Sequence, residues 1–104
     1  MNIVRILSPN WNERPEGLEI DCVVIHYTDL LTLQESIDIL SDPKREVSSH
    51  YLIDEDGTVY QLVDDEKRAW HAGVSNLYGK DNVNNFSIGI CLLYTSPSPR
   101  DLST

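Results

Sequence analysis

Residues 22–29 read CVVIHYTD, and no other stretch narrows the fold of this chain as much. Cys22, Val23, Val24 and Ile25 are all apolar, so side chains on both faces of a strand here would seek cover. Such a strand, expected over residues 20–27, belongs inside a sheet that is packed on both sides. His26 then arrives where the strand is expected to end, with the polar groups of Tyr27 and Thr28 beside it. Strand ends of α/β sheets are where ligands and catalytic groups gather.

The flanking segments set that strand in a layered fold. Residues 1–19 carry Pro9, Pro15 and Gly17 and are expected to be irregular. Thr32 with Glu35 three positions on is a capping box, because each side chain can satisfy the other's free backbone N–H. Leu33, Ile37 and Leu40 follow at helical spacing, and Pro43 stops the helix. Residues 49–63 predict a hairpin whose arms flank Asp54–Glu55–Asp56–Gly57, with Gly57 supplying the positive φ of the turn. A loop rich in Asn and Gly comes next, then a last strand in FSIGICLL. The order β-α-β-β-loop-β predicts an α/β or α+β fold with a mixed sheet and no internal repeats.

With 104 residues the chain makes one domain and buries roughly two-thirds of its unfolded surface. A formal charge of −9 argues against a nucleic-acid partner, which would reward lysines and arginines. No apolar run approaches the roughly 20 residues needed to span a bilayer, so no membrane partner is expected. The opening residues lack the apolar core of a signal peptide, which predicts a cytoplasmic protein. Cys22 and Cys91 make no disulfide framework, in keeping with a reducing compartment.

The final CLLYTSPSPRDLST differs in character. Seven of residues 95–104 are Ser, Thr or Pro, a composition that cannot support a packed core. It resembles the translation of sequencing-adapter DNA at the ends of metagenomic reading frames. The expected division is therefore a domain over residues 1–90 and a non-native or disordered tail over residues 91–104, a natural disordered tail being the alternative.

Three histidines carry the candidate chemistry: His26, His50 at the start of the hairpin, and His71 in RAWHAG. None forms a close ligand pair such as H-x-H, so spacing alone is a weak sign of metal. Taken alone, His26 is more often a satisfied polar side chain than a ligand, and His50 reads as one packed or hydrogen-bonded within the sheet, with a catalytic role as the alternative. Trp70 and His71 are an aromatic and polar pair of the kind that lines pockets, or else part of a structural turn.

In order and spacing, VVIHYT, VSSHYLIDEDGTVYQLV, KRAWHAGVS and NNFSIGI resemble the type 2 N-acetylmuramoyl-L-alanine amidase family, over about residues 7–90. Within that family the similarity is greatest to bacterial amidases that recycle or trim anhydromuramyl and muramyl peptides. Phage lysozyme-like amidases and peptidoglycan recognition proteins share the fold. The resemblance implies a central mixed sheet flanked by helices, with Zn²⁺ in a surface groove. The implied reaction is hydrolysis of the amide joining N-acetylmuramic acid to L-alanine of the stem peptide, and the implied partners are peptidoglycan fragments bound by a monomer. His26 matches the first zinc ligand. Tyr27, Trp70 and His71 match the substrate groove, while Asn85 and Ser87 precede the strand lining the metal site and would support it.

The departures from the family pattern are as informative. SIGI is normally followed by a glutamate that serves as general acid or base, and here that position is Cys91. The other two ligands belong to a downstream G-H-x-D…D-P-G region that this sequence does not contain. One imidazole cannot hold zinc, since affinity comes from several deprotonated ligands acting together. The expectation is an inactive amino-terminal part of a zinc amidase, with exposed apolar faces on CVVIHYT and FSIGI. The alternatives are a non-catalytic muropeptide-binding module, or a small domain holding zinc through His26, His50 and His71.

Overall fold

A computed structural model describes residues 3–29, 32–71, 76–77 and 80–94. Five strands form a mixed sheet: β1 (Ile3–Arg5), β3 (Cys22–Asp29), β4 (Tyr51–Ile53), β5 (Val59–Gln61) and β9 (Ser87–Tyr94), in the order β1-β5-β4-β9-β3. Strands β4 and β5 are the antiparallel hairpin, while β9 runs parallel to both β4 and β3. A ribbon pairs β2 (Trp11–Glu13) with β6 (Lys67–Ala69), and a second pairs β7 (Asn76–Leu77) with β8 (Lys80–Asp81). One α-helix, α1 (Leu33–Ser41), and a 3-10 turn at Val83–Phe86 complete the described elements.

Helix α1 starts where the sequence says it should. The Thr32 hydroxyl accepts from the Glu35 N–H at 3.1 Å, and the Glu35 carboxylate accepts from the Thr32 N–H at 2.9 Å. Its buried stripe packs Leu40 against Leu52, Leu62, Val63, Ala69, Cys91 and Leu93, with Leu33 and Ile37 at the margin. The hairpin turn closes through Gly57 at φ +91°, a conformation that a β-carbon disfavours.

Four expectations need correcting. The segment read as irregular contributes β1 and β2, and its buried Ser8 and Asn10 satisfy the end of α1. Ser8 donates to the Leu40 carbonyl at 2.6 Å, and Asn10 donates to the Asp42 and Val47 carbonyls at 2.9 Å. The Asn- and Gly-rich loop is likewise interrupted by β6, β7, β8 and the 3-10 turn. His26 is not at a strand end: β3 continues to Asp29 because Tyr27, Thr28 and Asp29 pair with Leu92, Leu93 and Tyr94.

Strand β3 is also an outer strand of the sheet, not a central one. Its alternation therefore separates a half-buried row, Cys22, Val24 and His26, from an exposed row. Val23 is 58% exposed, Ile25 52% and Tyr27 68%. The boundary expected at residue 90 falls inside β9, where Cys91 and Leu93 are buried in the core. Residues 95–104 of the expected tail lie outside the described residues.

Candidate active site

The site is built on the covered face of the sheet, where β3 and β9 run side by side. Register pairs Cys22 with Ser87, Val24 with Gly89 and His26 with Cys91. Gly89 is the position that lets an imidazole in. A β-carbon there would lie 2.5 Å from the His71 ring, so only glycine allows that ring to rest on the strand. His71 follows β6, and its backbone N–H donates to Asn84 Oδ1 at 3.2 Å. Its Nε2 lies 2.9 Å from Ser87 Oγ, and its Nδ1 lies 3.0 Å from His26 Nε2. The His26 and His71 rings meet edge to face at 5.2 Å.

His50, fully buried, forms the back of the cluster, 6.3 Å from His71 between ring centres. Its proton can be placed. The Gly89 N–H donates to His50 Nδ1 at 3.1 Å, so the proton is on Nε2 and is donated to the Lys67 carbonyl at 2.8 Å. Both ring nitrogens are thus committed to the backbone, Nδ1 to β9 of the sheet and Nε2 to β6 of the ribbon, so His50 is a packed, hydrogen-bonded side chain. The Arg14 guanidinium nitrogen 3.1 Å from His50 Nε2 is a contact between two donors, not a bond.

Arg14 was not legible as a site residue, yet it clamps the base of the cluster. Its guanidinium donates to the carbonyls of Asn84, Asn85, Asp65 and Ser87 at 2.9–3.2 Å. No local pattern in NERPEG announces this, because every acceptor lies more than 50 residues away. Gly89 did leave a signal: a glycine inside an apolar strand marks a close approach.

The imidazoles are held neutral. Burial first, then the repulsion that a second proton on His26 or His50 would add and the charges of Arg14 and Arg68, push the His71 pKa down to about 3. Burial lowers His26 as well. His50 is lowered first by burial and further by Arg14, against the opposing pull of the Lys67 carbonyl and Asp65. The Cys91 thiol, directly across from His26, is raised by burial and so stays protonated.

The other candidate residues are distributed unevenly. Trp70 adjoins the cluster through the chain. Its indole N–H donates to Asn12 Oδ1 at 3.2 Å, and its backbone N–H donates to Ser48 Oγ at 3.0 Å. Tyr27 points to the opposite, exposed face of β3 and does not join His26. Asn85 accepts from Arg68 at 2.6 Å.

These residues do not fit a complete zinc centre. Among the described residues no group of three His, Cys, Asp or Glu side chains gathers to hold a metal. His50 has no free lone pair, His71 has partners at both nitrogens, and the Cys91 thiol is kept protonated. A zinc ion needs several deprotonated ligands, and His26 Nε2 itself lies 3.0 Å from His71 Nδ1.

Fold and site together define an α/β protein whose polar centre is a neutral imidazole cluster on parallel strands. Comparison gives that class its family. Residues 16–103 match the family model described as N-acetylmuramoyl-L-alanine amidase. The 1,6-anhydro-N-acetylmuramyl-L-alanine amidase AmpD of Haemophilus influenzae is 36% identical over 112 positions, covering 91% of this chain and 61% of that protein. The crystal structure of a selenomethionine derivative of AmpD aligns with a TM-score of 0.80 at 33% identity, covering 92% of this chain and 63% of that one. The Escherichia coli amidase AmiD, in complex with anhydro-N-acetylmuramic acid-L-Ala-D-γ-Glu-L-Lys, aligns with a TM-score of 0.63 at 36% identity over 78% of this chain and 34% of its own. The chain belongs to the N-acetylmuramoyl-L-alanine amidase family and spans 61% of the length of its Haemophilus relative.

Proposed function

We propose that this chain is the sheet-bearing part of an amidase that cleaves the bond between N-acetylmuramic acid and L-alanine in 1,6-anhydromuramyl peptides. The observation that carries this reading is the family match over residues 16–103, supported by the names of the AmpD relatives. In the reaction, a water oxygen adds to the lactyl carbonyl carbon, the C–N bond breaks, and the alanine amine leaves with a proton. That requires a proton acceptor, a proton donor and a positive group facing the developing oxyanion.

The described residues supply little of this chemistry. Cys91 is held as a neutral thiol across from His26, and His71 is buried and neutral. What they supply is a floor: His26 on β3 bonded to a His71 ring that rests against Gly89 of β9, with Trp70 tied beside it. The family's zinc would take His26 as one ligand and need its remaining ligands from a longer parent. The test is hydrolysis of an anhydromuramyl peptide by the gene product read to its natural stop codon. Cleavage abolished by His26→Ala is expected, and cleavage unaffected by that change overturns the reading.

A second reading is favoured by Cys91. A buried neutral thiol where a proton-transfer group is needed suits a module that holds muropeptides without cutting them. Equilibrium binding separates the two, since a pure binder should lose little affinity in His26→Ala.

A further inference from the structure

We propose that Ser87, His71 and His26 form a hydrogen-bond relay of fixed direction, which holds His26 with its proton on Nδ1 and its Nε2 lone pair capped. The direction is set by Ser87. Its hydroxyl belongs to a fully buried residue, and among the described residues its hydrogen-bond partner is His71 Nε2 at 2.9 Å. If that hydroxyl merely accepted, its own O–H would be buried without an acceptor, which folded proteins avoid. Ser87 therefore donates to His71 Nε2. A neutral imidazole that accepts at one nitrogen carries its proton on the other. His71 Nδ1–H then points at His26 Nε2, 3.0 Å away, and His26 accepts. The remaining proton of His26 sits on Nδ1.

The middle ring cannot swing away to escape this arrangement. Gly89 brings the β9 backbone flat against it, and Asn84 Oδ1 takes the N–H of its own residue. Ser87 and His71 are thus positioning residues that fix the tautomer of His26. An electrophile or metal ion approaching Nε2 must displace the His71 N–H, and one approaching Nδ1 must first reverse every bond in the relay. That consequence rests on the amidase reading of His26, whereas the tautomer rests on geometry alone.

Heteronuclear NMR of the labelled 104-residue chain near neutral pH reports each ring nitrogen as protonated or bare. The expected pattern is protonated Nδ1 and bare Nε2 in both His26 and His71. Ser87→Ala, a single-oxygen deletion, should shift both rings toward averaged, mixed-tautomer signals. A wild-type His26 protonated on Nε2 overturns the proposal, and so does an unchanged His26 pattern in folded Ser87→Ala. Neither readout involves peptide cleavage, so failure of the amidase reading would register separately.

Discussion

His71 sets the acid sensitivity of the molecule. In the unfolded chain it takes up a proton near its ordinary pKa of 6.5, whereas the folded ring resists protonation down to about 3. Between those values the unfolded state binds more protons, so stability falls as pH drops from 6.5 toward 3. His26 and His50, both lowered by burial, act in the same direction. Urea midpoints at about pH 7 and about pH 5 read this, with His71 costing about 1.4 kcal/mol per pH unit while it stays neutral. A clear loss of stability is expected, smaller in His71→Phe, and equal midpoints would contradict the burial of the cluster. Arg14 gives the second prediction at this scale. Arg14→Met keeps the apolar stem but strips the donor from four carbonyls. With about 1–3 kcal/mol for each of the three part-buried acceptors, Asn84, Asn85 and Ser87, denaturant melts should show a loss of at least about 3 kcal/mol.

Among the elements, α1 and the β4–β5 hairpin were legible because their signals are local. Thr32 and Glu35 meet within one turn, and Gly57 adopts its own positive φ. Thr32→Ala should therefore cost about 1 kcal/mol, and Gly57→Ala about 1–2 kcal/mol, both read from thermal or urea unfolding. A loss near zero in either would detach the local signal from the fold. Strands β1, β2 and β6 were not legible, since three residues carry no period. Their pairing is decided by distant partners: Ile3 meets Val59, and Trp11 meets Ala69. In the ribbon, Lys67 reaches Glu13 at 2.8 Å and stands over the Trp11 ring at 5.1 Å, contacts that no short window of sequence contains. Strand β3 sits two residues later than expected for the same reason, because its last residues are held by β9 across the sheet. The site was legible in its imidazoles and opaque in its scaffolding: His26 and His71 meet, but what joins them is Ser87, Gly89 and Arg14.

For the whole molecule, one side of the sheet is finished and the other is not. Leu40, Leu52, Cys91 and Leu93 close the face under α1, while Val23, Ile25 and Tyr27 lie open on the reverse. Covering side chains of this size is worth about 1.5–3 kcal/mol each, against a total stability of about 5–15 kcal/mol. The exposed apolar face expected on CVVIHYT is present, whereas the one expected on FSIGI is not, since Phe86, Ser87 and Gly89 are buried and Ile88 and Ile90 half-buried. The open face of β3 predicts association rising with concentration in sedimentation experiments. A monodisperse monomer with a high, cooperative midpoint would contradict that prediction. The function proposed above is that of a stretch that carries the family fold and, in His26, one proposed zinc ligand, without the groups that do the chemistry. Incubation of the 104-residue chain with zinc and an anhydromuramyl peptide tests this directly. No release of the stem peptide is predicted, and turnover abolished by His26→Ala would contradict the account.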